Sequence, residues 1–414
     1  MSPSVPEPST ARTVAFLAAL AAFLLRAPFA LAPGFGLDAD AWLIAATAEG
    51  IAHGTGWAPS RPPGYPLSEL YYALWISGGP RLCNLASAAS VAVAVGLGTV
   101  LCARHGVRAP WALPLAASGV PAIAGPAAST LDHGPALALL SGALLALQTV
   151  RGRAVLPAIT TGALFGLACA ARPPLGVVGA ALLFALLQRG GARSAVAFVA
   201  AAAPFVAAVL VPFLVRGIWP DAPHLLSPRV GLAHAAEVLT LAPLGSAGVA
   251  AVSVACVGWR RRLRHTGPSG LGWATLASFG LAAAFPLEAN YLAPTALTGA
   301  LWLATRVRPA AAIAACALVQ LGGVVTLDAD GLRAGPWRRD GWAREAQLAR
   351  AHALHDTVRT LPEDCVVVVG PEFAVVRYLQ RGTAPMVVAE LGAAARAAYA
   401  ARGVRVVDLT AAAR

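Results

Sequence analysis

Apolar runs long enough to cross a bilayer recur along most of this chain, and they restrict it to a helical membrane architecture before any motif is considered. About eleven such runs fall at roughly 13–33, 82–103, 110–128, 134–150, 154–171, 174–188, 195–215, 236–258, 270–286, 291–305 and 310–327. Composition agrees, with 58% of the 414 residues hydrophobic and 12% charged, a balance that argues against a soluble multidomain protein. The net charge of +12 comes from arginines set between apolar runs, without an interleaved basic and aromatic surface, so nucleic acid is not an expected partner. Cys83, Cys102, Cys169, Cys256, Cys316 and Cys365 show no C-x-x-C spacing, and most lie in or beside apolar runs. They support neither a disulfide framework nor a zinc site.

Arginine placement sets an expected orientation, because short cytoplasmic loops retain positive charge. Every second connection is arginine-rich: Arg104 and Arg108, Arg151 and Arg153, Arg189 and Arg193, the run Arg260, Arg261, Arg262 and Arg264, then Arg306 and Arg308. Together with Arg12 they define one face. Connections 34–81, 128–134, 171–174, 216–235 and 286–291 carry prolines, aspartates and histidines instead. The expectation is a multi-pass protein of the plasma (inner) membrane, N-terminus cytoplasmic and C-terminus external or periplasmic. Val14 to Leu25 followed by "RAPFALAP" also fits a signal-peptide core with a small-residue cleavage site; either way the next loop is external.

After Leu327 the composition changes. "CVVVVG", "MVVA" and "VRVVDL" are short β-branched runs alternating with the helical stretches "PEFAVVRYLQR" and "LGAAARAAYAAR". The expected domains are therefore a transmembrane part over 1–327 and an external soluble α/β domain over 328–414. "VVVVGPEFAVV" lacks a G-x-G-x-x-G fingerprint, so nucleotide binding has no support there.

The chemistry concentrates in the first external loop, 34–81. Ala39, Trp42, Leu43, Ala46 and Ile51 fit a short amphipathic helix in the interface plane, with Asp38 and Asp40 at its start. Acidic residues there can simply cap the helix. Capping does not explain two carboxylates near Glu49, His53, Arg61 and Glu69 in an acid-poor chain, a cluster suited to a general base or a divalent cation. In "SRPPGYPL", Pro59, Pro62, Pro63 and Pro66 exclude regular helix around Arg61 and fix its guanidinium as a fork of donors for phosphate. Snorkelling to lipid headgroups is the competing explanation. Leu67 to Trp75 would anchor this turn at the headgroup level. A second "RPP" at Arg172, Pro173 and Pro174 falls on the same expected face, and "STLDHGPA" adds Asp132 and His133, for which ordinary loop polarity competes with a metal role. His224 and His234 are weaker candidates.

The D-x-D of Asp38 and Asp40 on a first-loop interfacial helix, then "SRPPGYPL", many spans and an external C-terminal domain, resembles the GT-C membrane glycosyltransferases. The nearest branch is that of protein O-mannosyltransferases and the aminoarabinose transferase of lipid A. The resemblance covers about 1–327 and is most specific from Asp38 to Leu67. It implies inverting transfer of a sugar from a polyprenyl-phosphate donor to a lipid, glycan or protein acceptor at the outer membrane face. Under it, Asp38 or Asp40 is the catalytic base and Asp132 a second acidic residue. Arg61 and Arg172 bind the donor phosphate, with Tyr65, His53, His133 and Glu69 in support. "EANYLAPTALTGALW", with Tyr291, is similar to the family's late span. A divalent cation, Mg²⁺ or Mn²⁺, with Asp40, Glu69 and Asp132 as candidate ligands, is the one cofactor expected. Many members have an adjacent acidic pair where this chain has D-x-D, so the choice of aspartate is open. A flippase for lipid-linked sugars or a secondary transporter is the rival class, but transporters place ionisable residues near the bilayer midplane, whereas the acids here sit in external loops.

Overall fold

The computed structural model describes residues 8–61, 64–152, 155–215, 241–257, 270–284, 289–328, 331–380 and 385–410. Pro62, Pro63, Arg153, His224, His234, Glu288 and the run Arg260 to Arg264 lie outside the described residues. The chain is built mainly of helices: α1 (Pro8–Ala30), α2 (Ala39–Ala52), α3 (Pro66–Ala73), α4 (Gly79–Arg104), α5 (Ala112–Gly119), α6 (Pro121–Ala127), α7 (His133–Leu147) and α8 (Val155–Ala171). Then come α9 (Gly176–Val215), α10 (Leu241–Val257), α11 (Gly270–Ala284), α12 (Ala293–Ala304) and α13 (Pro309–Val324). The C-terminal part holds β1 (Val325–Asp328), β2 (Gly331–Ala334), α14 (Pro336–Val358), β3 (Val366–Val368), α15 (Phe373–Gln380), β4 (Met386–Val388), α16 (Ala393–Ala401) and β5 (Val406–Asp408).

Among the described residues, three helical stretches are long and apolar enough to cross a membrane: Ser9–Ala30, Ile76–Arg104 and Pro173–Val211. Shorter apolar helices accompany them, and the protein is a membrane protein. Small residues let these helices approach closely. On α1, Ala15, Ala18 and Ala22 are buried while Phe16, Leu17, Leu20 and Leu24 face outward, a division that lets the helix pack on α4 and turn its large side chains to lipid. Gly162 and Gly166, one turn apart on α8, do the same against α9: a Cβ at Gly166 would stand 2.9 Å from the Ala202 backbone.

Several expected spans differ in their limits. The run 110–128 is not one helix. It divides into α5 and α6 because Val120, preceding Pro121, is extended (φ −70°, ψ 145°). The runs 174–188 and 195–215 both fall in α9, which breaks at Gly191 with φ 69°. The last run ends earlier than 327, since Val325 leaves α13 with extended φ/ψ and begins β1, which pairs antiparallel with β2.

Three of the arginine-rich connections meet at one end of the bundle, where Arg189 donates to the Leu147 carbonyl at the end of α7 and Gln148 contacts His105 at the end of α4. At the opposite end, α2 and α3 carry the C-terminal part. There β3 lies between β4 and β5, parallel to both. Expected to lie in the membrane interface, α2 instead buries Trp42, Ile44, Ala45 and Ala48 in a core shared with Tyr72 of α3, Leu354 and Val358 of α14 and Val367 of β3. Phe35, Trp42 and Tyr378 form an edge-to-face triad with centroids 5.2 to 5.4 Å apart. The reason is geometric: Trp42 donates its indole N–H to the Gly36 carbonyl at 2.8 Å, which turns its ring toward the C-terminal part rather than outward.

Gly166→Val should lower the thermal midpoint of the detergent-purified protein, because overpacking costs about 1–3 kcal/mol. Gly280→Ala, where an added Cβ meets nothing within 4 Å, should leave the midpoint unchanged or raised.

Candidate active site

Four connections converge at this end of the bundle, each aimed by local sequence. Asp38 is the N-cap of α2, its carboxylate accepting from the Asp40 amide at 2.9 Å, so capping accounts for it. Asp40, in the first turn, points elsewhere. Asp132 holds the corresponding place before α7 yet makes no side-chain cap, its carboxylate being drawn away by arginines. Arg172 is extended (φ −146°, ψ 94°) because Pro173 follows it, and the Pro173–Leu175 turn then leads into α9. At Arg61 the chain closes a turn in which the Gly64 amide donates to the Arg61 carbonyl at 2.6 Å, and Gly64 has φ 101°, which glycine adopts without a Cβ clash.

The two R-P-P arginines meet on one carboxylate. Asp132, fully buried, accepts from Arg172 at 2.8 Å and pairs with Arg61 at 3.3 Å through the same oxygen, while its other oxygen lies 3.1 Å from His133 Nδ1. Arg61 also pairs with Asp40, so one guanidinium bridges the two acids. Its Cζ lies 4.0 Å from the Tyr65 ring centroid, and that of Arg172 lies 5.3 Å from the ring of Tyr291. Asp38, Asp40, Arg61, Tyr65, Asp132, His133, Arg172 and Tyr291 therefore form one neighbourhood.

The environments separate the two bridged carboxyls. Burial opposes the Asp132 anion, but Arg172 and then Arg61 outweigh it and hold this carboxyl well below the usual range. Burial dominates at Asp40 and raises its carboxyl against the pull of Arg61, with Asp38 adding to the rise. A permanently ionised anchor thus sits beside a carboxylate better able to take a proton.

Two expected members lie apart. His53 is exposed at the C-cap of α2, about 20 Å along the helix from Asp40 at 1.5 Å per residue, and its ring contacts the Glu49 carbonyl. Glu69 is buried, but its carboxylate accepts from the Trp57 indole at 2.7 Å, the Ser60 amide at 2.8 Å and the Ser60 hydroxyl at 2.6 Å. It holds the segment leading to Arg61. Among the described residues, no group of three His, Cys, Asp or Glu side chains could hold a metal ion. Asp40 and Asp132 face guanidinium groups and Glu69 is engaged elsewhere, so these three do not fit as a cation's ligand set.

Sequence reading missed the supports of the Asp132 segment. The Tyr72 hydroxyl donates to the Leu131 carbonyl at 2.7 Å, and Asn84 bridges the Gly34 carbonyl (3.0 Å) and the Thr130 hydroxyl (2.8 Å). Arg344 and Gln347 reach the same region from α14. A signal existed: Trp337, Arg344, Ala351 and Val358 repeat every seven residues, putting an arginine on a buried stripe.

Asp132→Asn should destabilise the protein by about 3–5 kcal/mol, since it leaves the buried Arg172 guanidinium without its counter-ion and takes one of two carboxylate partners from Arg61. Because its folded-state pKa is depressed, the stability it contributes is present above about pH 4, the unfolded carboxyl value, and is lost only well below it. Thermal midpoints of wild type and variant from pH 4 to 8 should stay separated throughout; coincident midpoints would refute the anchor role.

No protein-family model matches the chain, and no curated protein matches it by sequence. Solved structures do. ArnT from Cupriavidus metallidurans bound to undecaprenyl phosphate superposes with a TM-score of 0.57 at 14% identity, covering 97% of this chain and 90% of that one. The apo structure of the same protein gives 0.58 at 15% identity, with the same coverage. In fold, over nearly its whole length, this chain is similar to ArnT, an aminoarabinose transferase of the GT-C class.

Proposed function

We propose that this protein is a GT-C glycosyltransferase that moves a sugar from a polyprenyl-phosphate donor to an acceptor at the external membrane face, with inversion at the anomeric carbon. One pairing carries the reading: a cationic cluster beside a carboxylate whose pKa is raised, in a bundle that also holds an apolar cavity. That cavity, about 250 Å³, is lined by Leu113, Val120, Leu244, Phe279, Leu292 and Leu303. Leu292 directly follows Tyr291, whose ring packs by Arg172, so an apolar tail and an anionic head would be received side by side. The fold likeness to a protein crystallised with undecaprenyl phosphate supports the same lipid class here. Alternation of arginine-rich and acid-bearing ends supports an external site with a cytoplasmic N-terminus.

The step is a single displacement. An acceptor hydroxyl attacks the anomeric carbon opposite the phosphate, and its proton passes to Asp40. The bond from carbon to phosphate oxygen breaks, and the electron pair leaves with polyprenyl phosphate. Arg61, 15% exposed at its side chain, meets that charge directly; Arg172, 5% exposed, acts from behind through Asp132. The donor phosphate competes with Asp40 for the Arg61 guanidinium. Its arrival frees the carboxylate and weakens the cationic pull that lowers the Asp40 pKa.

Two outcomes follow in proteoliposomes supplied with a polyprenyl-phosphate sugar. Asp40→Asn should lower kcat by roughly 10²–10⁴-fold without loss of protein, the usual contribution of a general base; retained activity would exclude Asp40 from that role. Activity should rise with pH through a raised carboxyl pKa, and the acidic limb of kcat should lie at higher pH than that of kcat/KM, since kcat reports the donor complex. The reverse order would contradict the release of Asp40 by the donor.

A further inference from the structure

We infer that α14 of the C-terminal part is a strut for the reaction centre, with Arg344 and Gln347 as positioning residues that hold the two aspartate-bearing segments in register. This rests on the function proposed above and assigns the C-terminal part a role in it. Arg344 is 2% exposed, and its guanidinium donates to the Ala128 carbonyl at 2.8 Å and the Ser129 hydroxyl at 2.7 Å, within four residues of Asp132. Asp340, one turn earlier on α14, pairs with it at 2.7 Å, so the buried cation is balanced within its own helix and is not drawn toward Asp132. Gln347, three residues on and hence on the same face, donates to the Leu37 carbonyl at 2.9 Å, the residue before Asp38.

The two held segments also touch each other, through the Thr130 amide and the Phe35 carbonyl at 2.7 Å. Leu37 fixes where α2 starts, and so where Asp40 points; Ala128 and Ser129 fix where α7 starts, and so where Asp132 sits. Before the donor arrives Arg61 reaches both acids at once, so a relative shift of the two segments breaks one of its pairs and moves Asp40 away from where the phosphate would release it. The base of α14 is itself fastened to the membrane part. Trp337 is buried under the Arg26 guanidinium, 3.6 Å from ring centroid to Cζ, and Arg26 donates to Gln320 of α13 at 2.8 Å. The helix thus has a fixed foot and two hands on the site.

The test compares wild type, Arg344→Gln, Gln347→Leu and Arg350→Gln, each as the full chain in lipid. Arg350→Gln breaks the 3.0 Å pair with Glu372 inside the C-terminal part and serves as the control for general loosening. Hydrogen exchange read by mass spectrometry should show faster exchange in 34–40 and 128–133 for the first two variants and not for the control. With polyprenyl-phosphate sugar, the same two should lose about 10–100-fold in kcat with donor KM little changed, as a displacement near 1 Å is enough for such a loss. Unchanged exchange in both segments, or loss equal to that of the control, overturns the strut. If wild type transfers no sugar while exchange responds as expected, the strut stands and the proposed activity fails.

Discussion

A single buried carboxylate decides the arrangement of this site. Asp132 draws two arginines from distant parts of the chain, one between α2 and α3 and one between α8 and α9. Without an anion, either guanidinium would be expelled toward water or headgroups, as long cationic side chains at membrane edges are. With it, the segment between α2 and α3 is pinned to the helix bundle and Asp40 is brought to the same guanidinium. Electrostatics here organises backbone as well as chemistry: the Gly64 amide closes the turn at Arg61, Pro173 holds Arg172 extended, and the carboxylate makes the two turns meet.

Packing supplies the precision that charge alone lacks. Trp42, Phe35 and Tyr378 join the connection between α1 and α4 to the C-terminal part in one aromatic core, and Tyr72 and Asn84 satisfy carbonyls on either side of the site. Such bonds, buried from water, are directional where a salt bridge is not. Glu69 works in the same way on the segment before Arg61, fixing Trp57 and Ser60 through three hydrogen bonds. Its burial is the mark of a bracket rather than of a ligand exposed to substrate.

Much of this was legible in the sequence. Long apolar runs, arginine alternation and the two R-P-P turns are local signals with direct physical causes, and they led to the helices and to Arg61 and Arg172; the D-x-D pointed to Asp38 or Asp40 without choosing between them, and Asp132 stood out only against ordinary loop polarity. Pairings were less legible. That Asp38 caps while Asp132 does not depends on whether an arginine is within reach, which is a tertiary fact. The expected surface helix became a core element because its partner, α15, lies more than three hundred residues away in sequence. Glu69 and His53 have plausible chemistry and sit in the right loop, but helix phase turned one toward Ser60 and left the other at the far end of α2.

The most direct measurement follows the donor itself. Purified protein in liposomes would be given a panel of polyprenyl-phosphate monosaccharides with an acceptor extract of the membrane, and both free polyprenyl phosphate and the anomeric configuration of the product would be read. The account predicts release of polyprenyl phosphate with inversion for at least one donor. Passage of intact donor from one leaflet to the other without release would contradict it, and would make the arginine pair a clamp for transport rather than for transfer.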